Sequence, residues 1–176
     1  RDLPQYVYQF QKKFRNEKRA KSGILRGREF LMKDLYSFSR TEEEHAAFYE
    51  KAKAAYARIF DRVGLGEITF RTFASGGTFS KFSDEFQMLT EAGEDVIHVD
   101  RAARFAANEE VLADISDEDL KAAGTSRDNL VPMKSVELGN IFNLGTKFSL
   151  PLELTYQDEA GEKKPVIMGS YGIGVP

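Results

Sequence analysis

Residues 14–17 read Phe-Arg-Asn-Glu, and residues 26–34 read Arg-Gly-Arg-Glu-Phe-Leu-Met-Lys-Asp, with a basic, glycine-containing stretch between them. Residues 3–15 are rich in aromatic and β-branched residues, and residues 25–38 alternate between apolar and polar for much of their length. This composition is typical of strands. We therefore expect two antiparallel strands that pair as a long hairpin.

Alternate positions of a strand share one face, so the hairpin would gather charged and aromatic side chains. On the two strands they are Arg15, Glu17, Arg26, Arg28, Phe30, Met32 and Asp34. Guanidinium groups hold phosphate, a carboxylate can accept from the amine of adenine, and an aromatic ring stacks on a purine. This face of charged and aromatic side chains therefore suits the binding of a nucleotide. The alternative is a solvated hairpin whose cross-strand ion pairs contribute about 0.2–1 kcal/mol each.

The rest of the chain predicts one long helix and several strands. Residues 41–63 have a helical period, with a capping box from Thr41 to Glu44 and Gly64 after the end. Its apolar stripe would be Phe48, Ala52, Ala55, Ile59 and Val63, with His45 exposed in the first turn. Further strands are expected at 68–74, 96–99, 135–148, 152–157 and 165–175, short helices at 101–112 and 117–123, and a turn at 158–161. The expected architecture is α+β, a largely antiparallel β-sheet flanked by helices.

Composition excludes several classes of function. The 176 residues are 41% hydrophobic with a net charge of −3, which fits one globular domain or part of one and provides no global positive field for a polyanion. Cysteine is absent and only two histidines occur, so we expect no zinc site and no thiol chemistry. No apolar run is long enough to span a membrane, and we expect a cytoplasmic protein.

The order Phe-Arg-x-Glu, loop, Arg-x-x-x-Phe-x-x-x-Asp resembles motif 2 of class II aminoacyl-tRNA synthetases. The matching residues are Phe14, Arg15, Glu17, Arg26, Phe30 and Asp34. The string from Arg28 to Phe38 resembles bacterial-type prolyl-tRNA synthetases more specifically. Segments 79–86, 93–95, 134–147 and 168–175 agree with that family in the same order, so the resemblance covers nearly the whole chain.

The resemblance implies that ATP activates L-proline to prolyl-adenylate, which is then transferred to tRNA(Pro). It makes Arg15 the catalytic residue that bridges the α-phosphate and the substrate carboxylate. Glu17 would accept from the adenine amine, Phe30 would stack on the ring, and Arg26 would hold the γ-phosphate. Mg²⁺ would bridge phosphate oxygens, and Glu137 is a weaker candidate for a ligand on the metal side.

The same resemblance implies an amino-acid pocket and a contact with tRNA. The pocket residues would be Met32, Asp34, Glu85, Phe142 and Ser170. Asn140 stands where histidine is common in the family, and Ser170 where cysteine is common. Lys18, Arg19 and Lys21 in the motif 2 loop would meet the tRNA acceptor end.

By comparison with the family pattern, we expect residues 1–176 to be a single partial catalytic domain. The first class motif, the editing insertion and the C-terminal anticodon-binding domain are not in this stretch; Asn108 to Ser135 fill the place of the insertion. Full-length members would be homodimers. Two other functions stay open: a synthetase-like regulatory or interaction module without catalysis, and a class II enzyme for another amino acid.

Overall fold

A computed structural model describes residues 2–18, 23–75 and 82–175, which form a mixed α+β fold dominated by one large sheet. The strands are β1 (Gln5–Phe14), β2 (Glu29–Ser39), β3 (Thr69–Ser75), β4 (Phe82–Leu89), β5 (Asp95–Asp100), β6 (Phe105–Asn108), β7 (Val131–Gly145), β8 (Thr155–Gln157), β9 (Lys163–Pro165) and β10 (Ile167–Val175). The α-helices are α1 (Glu42–Arg62) and α2 (Asp117–Ala122), and short 3-10 helices cover Gly23–Leu25, Gly66–Ile68, Glu109–Asp114 and Arg127–Asn129. The expected fold class is confirmed.

The main sheet has eight strands in the order β1-β2-β10-β7-β4-β3-β6-β5, and β8 and β9 form a separate ribbon. All neighbours are antiparallel except β3 and β6. The first residues of β7 also pair with β5, so β7, β4, β3, β6 and β5 close into a ring. A small apolar cluster lies in this part of the sheet: Phe70, Leu89, Ile97, Val99 and Ala106.

The predicted hairpin is confirmed over its full length. β1 pairs with β2 from Gln5 opposite Phe38 to Phe14 opposite Glu29. β2 in turn pairs with β10, and β10 with β7, so the hairpin is continuous with the centre of the sheet. The two motif segments therefore lie at the end of β1 and along β2.

Helix α1 begins as the sequence predicts. The Thr41 side chain accepts from the Glu44 N–H at 3.2 Å. The Glu44 carboxylate accepts from the backbone N–H of Arg40 at 2.9 Å rather than from Thr41, so only half of the expected capping box forms. The helix ends before Gly64, whose φ of +79° suits glycine.

The buried face of α1 differs from the predicted stripe. Ile59 and Val63 are 41% and 62% exposed, whereas Tyr56 and Phe60 are buried. His45, expected to be exposed, is only 2% exposed and packs beside Tyr49. The aromatic residues occupy the face towards the sheet because they bury more apolar area than the aliphatic stripe would.

The main core lies between α1 and one face of the sheet, which we call the helix face. Its buried residues are Ala52, Tyr56, Phe60, Phe86, Ile141 and Tyr171. Because alternate strand residues point in opposite directions, the neighbours of the sheet residues in this cluster point to the other side, which we call the far face.

The predicted helix over 101–112 is wrong. The Asp100 carboxylate accepts from the backbone N–H groups of Ala102 and Ala103 and forms a turn, and Arg104 has a φ of +53°, which a right-handed helix excludes. The chain then enters β6, where Ala106 is buried, before the 3-10 helix.

The other predicted elements are largely confirmed. α2 has a complete capping box between Ser116 and Asp119, and the turn at 158–161 closes with a hydrogen bond from Gly161 N–H to Asp158 O. β7 begins earlier and ends earlier than predicted, only Thr155–Gln157 of the stretch 152–157 is strand, and β4 was not anticipated as a strand. Within the described residues, no helix has both the length and the apolar character needed to cross a membrane.

Candidate active site

Four neighbouring strands bring predicted site residues into one row across the far face. Asp34 pairs with Gly172, Gly172 with Asn140, and Asn140 with Glu85. The next row pairs Ser170 with Phe142. The five predicted pocket residues, which are Met32, Asp34, Glu85, Phe142 and Ser170, thus share one face of adjacent strands.

Gly172 and Gly174 form the floor of a shallow trough on the far face. A Cβ atom at Gly172 would have only Met32 Sδ within 4 Å, at 3.9 Å, and one at Gly174 would meet only the edge of the Phe30 ring, also at 3.9 Å. Neither glycine has a positive φ. A Cβ at Gly139, by contrast, would lie 2.8 Å from the Gly172 carbonyl oxygen. Neither packing nor backbone conformation requires glycine at 172 or 174, so what these residues provide is open space.

Arg15 lies at the end of the hairpin, over the aromatic ring of Phe30. Its backbone N–H donates to Arg28 O at 2.9 Å, which continues the ladder past the end of β1. Its guanidinium carbon is 5.1 Å from the centroid of the Phe30 ring, a cation–π contact. Arg15 also stabilises the charged form of Glu137 on β7. A cation and an aromatic face therefore meet at one edge of the trough, as the sequence predicts.

Arg26 is held between two carboxylates. Its Nη1 is 3.7 Å from Glu17 Oε2, and its Nη2 is 3.1 Å from Glu94 Oε2. Sequence reasoning matched Glu94 to the family but did not anticipate this contact. The turn that carries Glu94 lies tight against β7, because a Cβ at Gly93 would be 2.1 Å from Ser135 O.

Asp34 has a partner that the sequence analysis missed. Lys13, on the neighbouring strand of the hairpin, forms an ion pair with Asp34, which is buried. The register of the hairpin does not indicate this pair, because Asp34 lies opposite Gln9, and Lys13 lies opposite Phe30, four residues before Asp34. Lys13 therefore balances the negative charge of the Asp34 carboxylate within the protein.

Three side-chain amides surround the carboxylate of Glu85. Gln87 Nε2 donates to Glu85 Oε2 at 2.9 Å, and Asn108 Nδ2 donates to the same oxygen at 3.3 Å. Asn140 Nδ2 donates to Oε1 at 3.3 Å. Neither Gln87 nor Asn108 was predicted as a site residue. Asn108 comes from another strand, β6, whereas Gln87 lies two positions after Glu85 on β4, a strand that the sequence analysis did not anticipate.

The carboxylates of this region disfavour one another's charge. Burial, followed by the nearby Glu137 carboxylate, raises the pKa of Glu85 to about 7. The pKa of Glu137 is also raised, first because protein atoms displace water from its carboxyl, although part of the residue remains exposed, and further by Asp95. Arg15 acts in the opposite direction on Glu137. The far face therefore has a negative region beside the trough.

Not every predicted contact falls on described residues. Lys18 is described and exposed, whereas Arg19 and Lys21 lie outside the described residues. Residues 79–81 of the matched segment 79–86 lie outside them as well. In the described ranges, no group of three or more His, Asp or Glu side chains converges to hold a metal ion.

The chain is similar to known proteins in sequence and in fold. The family described as "tRNA synthetase class II core domain (G, H, P, S and T)" matches residues 1–176. The chain belongs to this family. It is 38% identical over 192 residues to "Proline--tRNA ligase" of Sulfurimonas denitrificans, an alignment that covers 99% of this chain and 43% of the relative. It is also 38% identical over 177 residues to "Probable proline--tRNA ligase, mitochondrial" of Rattus norvegicus, covering 99% of this chain and 36% of the relative.

A solved structure has the same fold. The prolyl-tRNA synthetase of Cryptosporidium parvum, complexed with L-proline and AMP, aligns with a TM-score of 0.65 and 16% identity over 98% of this chain and 28% of that one. At this identity the likeness concerns the fold alone. The chain spans less than half the length of these relatives.

Proposed function

We propose that this chain is the amino-acid-activating core of a proline--tRNA ligase. In this reaction the carboxylate of L-proline attacks the α-phosphorus of ATP, pyrophosphate leaves, and the prolyl group of the adenylate passes to the 3′ end of tRNA(Pro). Relatives named proline--tRNA ligase along 99% of the chain support the choice of amino acid. The observation that carries the proposal is the single face on which the trough, Arg15 and the predicted pocket residues occur together.

Arg15 is the proposed catalytic residue. Its guanidinium would contact both the α-phosphate and the proline carboxylate, so it would hold the reacting groups together and stabilise the charge that develops on the phosphate oxygens. Loss of such a donor costs about 2.7–4 kcal/mol of transition-state stabilisation. Its exposed position at the edge of the trough leaves the guanidinium free to turn from the Phe30 ring towards a ligand.

ATP would bind around the hairpin loop. Glu17 would accept from the adenine amine, Phe30 would stack on the adenine ring, and Arg26 would exchange its carboxylate partners for the γ-phosphate. Bound Mg²⁺ would neutralise phosphate charge. Because no described group of three acidic or histidine side chains converges, the phosphate oxygens and water would supply most of the ligands, with Glu137 as a single carboxylate.

Proline would lie on the glycine floor. Met32 and Phe142 would contact its ring, and Ser170 would lie beside it. Asp34 and Glu85 would lie at the two ends of the row of paired residues that crosses the four strands. The small ring offers few groups to recognise, so selectivity over a smaller amino acid would rest on about 1–3 kcal/mol of apolar contact and on how the imino nitrogen is held.

The remaining proposals concern partners and location. Lys18, Arg19 and Lys21 would contact the acceptor end of tRNA(Pro) through salt-sensitive phosphate contacts. The protein would act as a homodimer in the cytoplasm. Residues 109–129 form short helices that lead directly into β7, so we propose that the chain has no editing function there.

Ligand-induced stabilisation tests this function. Thermal unfolding would be measured with a non-hydrolysable prolyl-adenylate analogue, with its alanyl and threonyl counterparts, and with Arg15→Ala as control. A ligand at 100 times its Kd stabilises the folded state by about 2.7 kcal/mol. We expect a shift selective for the prolyl analogue that Arg15→Ala abolishes. A larger shift with the threonyl analogue, or a prolyl shift that survives Arg15→Ala, would contradict the proposal.

A non-catalytic interaction module remains the alternative. That alternative offers no physical reason why an exposed Arg15, a partly exposed Arg26 and an open glycine floor should occur on the same face of the sheet. Absence of adenylate binding in a protein that unfolds cooperatively would favour it.

A further inference from the structure

Lys33 is a half-buried cation on the helix face of the sheet, and the proposed mechanism does not use it. It lies on β2, one position before Asp34, and its side chain extends towards α1. Its Nζ donates to the Tyr56 hydroxyl on α1 at 2.9 Å and to the backbone carbonyl oxygen of Tyr171 on β10, also at 2.9 Å. The same Nζ is 4.7 Å from the centroid of the Tyr56 ring, a cation–π contact. One side chain thus connects β2, β10 and α1.

The folded state disfavours the charge of Lys33. In the part of the chain that the structure describes, no carboxylate forms an ion pair with it; the adjacent Asp34 points to the far face and pairs with Lys13. Burial lowers the pKa of Lys33 to about 8, and the attraction of Asp34 offsets only part of that effect. A lysine whose pKa is lower in the folded state than in the unfolded state destabilises the fold while it is charged. An apolar side chain of similar length would pack here at least as well, so stability does not explain a lysine at this position.

The contacts of Lys33 lie directly behind the glycine floor of the trough. In the pairing of β2 with β10, Lys33 is opposite Ile173, the residue between Gly172 and Gly174. The carbonyl group that Lys33 binds belongs to Tyr171, and its peptide bond leads into Gly172. Glycine has more backbone freedom to lose than any other residue. A floor of two glycines therefore needs a contact from behind to hold its backbone in place.

We propose that Lys33 is a positioning residue, whose ammonium fixes the peptide group between Tyr171 and Gly172 and thereby the floor of the trough. This inference rests on the proposed function, because that function makes the floor the surface on which the substrate lies. The hydroxyl of Tyr56 holds the ammonium from the other side, so the position of β10 is set by α1 as well as by the neighbouring strands. Loss of the ammonium would release the Tyr171 carbonyl without altering any group that faces the trough.

Replacement of Lys33 by methionine tests the proposal, because methionine keeps an unbranched side chain of similar length and removes the charge and the donors. Lys12→Met is the matched control. Lys12 lies on the same face of the hairpin, opposite Leu31, but it is exposed and its Nζ pairs with Glu29 at 2.7 Å. Three quantities would be measured on the natural full-length protein: the free energy of unfolding in urea, amide hydrogen exchange by mass spectrometry, and proline-dependent exchange of pyrophosphate into ATP.

Lys33→Met should be at least as stable as wild type in urea, because it removes a buried charge. The amides of residues 171–174 should exchange hydrogen about tenfold faster or more, since they lose a charge-assisted hydrogen bond, whereas the other strands should be unchanged. The kcat of pyrophosphate exchange should fall by about 10- to 100-fold, because a displaced floor misaligns the reacting groups. Lys12→Met should match wild type in all three measurements.

Pyrophosphate exchange that is as fast in Lys33→Met as in wild type would overturn the proposal. A Lys33→Met protein that is less stable than wild type, with faster amide exchange along the whole chain, would show that Lys33 maintains the fold, which overturns it as well. If wild type shows no proline-dependent pyrophosphate exchange, the proposed function fails on its own. Amide exchange at residues 171–174 then decides the role of Lys33: faster exchange confined to these residues supports the proposal, and equal exchange overturns it.

Discussion

Replacement of Gly172 by alanine should separate stability from binding. The added methyl group would point to the far face, where its only neighbour within 4 Å is Met32 Sδ at 3.9 Å, an ordinary van der Waals contact. Gly172 has no positive φ, so alanine can adopt its backbone conformation. Substitution at such a position stabilises a protein by about 0.4–1 kcal/mol, because it reduces the freedom of the unfolded chain.

Binding should change in the opposite direction. A ligand that packs on the glycine floor would meet the new methyl group, and overpacking costs about 1–3 kcal/mol. This corresponds to about 5- to 150-fold weaker binding of the prolyl-adenylate analogue. Urea unfolding would measure the first effect and calorimetric titration the second.

Gly139→Ala is the matched control. Its Cβ would lie 2.8 Å from the Gly172 carbonyl oxygen and 3.1 Å from the Tyr56 ring, so this substitution should destabilise the fold by about 1–3 kcal/mol. The trough would not be the ligand site if Gly172→Ala bound the analogue as tightly as wild type. A Gly172→Ala variant less stable than wild type would show instead that the protein itself requires this glycine.

Three further outcomes follow from individual contacts. Thr41→Ala should lower the free energy of unfolding by about 0.5–2 kcal/mol and Thr41→Ser should not, since the hydroxyl caps α1; equal stability of both variants in urea would contradict this. Glu94→Gln should tighten binding of an ATP analogue, because it removes a carboxylate 3.1 Å from Arg26 that competes with phosphate, while Glu91→Gln should not; weaker binding in calorimetry would refute the competition. The pKa of Glu85 is raised from 4.5 to about 7, so the native state holds this proton to higher pH than the unfolded chain does. The stability of wild type should therefore fall as pH rises from about 4.5 to about 7, and Glu85→Gln should lose less over that range; parallel pH profiles in urea unfolding would exclude the shift.

The hairpin could be predicted because its signals are local. Alternation over residues 25–38 and a basic loop before it are enough to set two strands, and the side-chain period then assigns Phe30, Met32 and Asp34 to one face. Residues from the resemblance, such as Ser170 and Phe142, also fall on that face once β10 and β7 pair. Periodicity and family motifs therefore agree where strands are long.

The failures came from contacts between distant parts of the chain. The helix expected over 101–112 was overridden by the Asp100 turn and by the place that β3 offers to Ala106 and Ala107 as a parallel partner. Aromatic residues that pack against the helix face of the sheet determine which side of α1 is buried. The Asp100 turn leaves no periodic signal within its own segment. The buried face of α1 does, because Ala52, Tyr56 and Phe60 recur every four residues, but the aliphatic stripe has a similar spacing, so periodicity alone did not distinguish the two faces.

The same reason explains the missed site residues. Lys13 contacts Asp34 across the hairpin, Glu94 reaches Arg26 from the turn between β4 and β5, and Asn108 reaches Glu85 from the end of β6. Each pair joins residues that only the sheet order brings together. The resemblance supplied the groups expected to touch substrate, whereas the structure adds the groups that hold them.

The most direct test of proline activation is amino-acid-dependent exchange of pyrophosphate into ATP. The exchange would be measured on the natural full-length protein. The amino acids tested would be glycine, histidine, proline, serine and threonine, the five that the description of the family names. We expect exchange with proline that exceeds exchange with each of the other four and that Arg15→Ala reduces by about 100-fold or more. Exchange that is greatest with one of the other four amino acids, or no exchange with proline while the wild-type protein binds an ATP analogue, would contradict the proposed function.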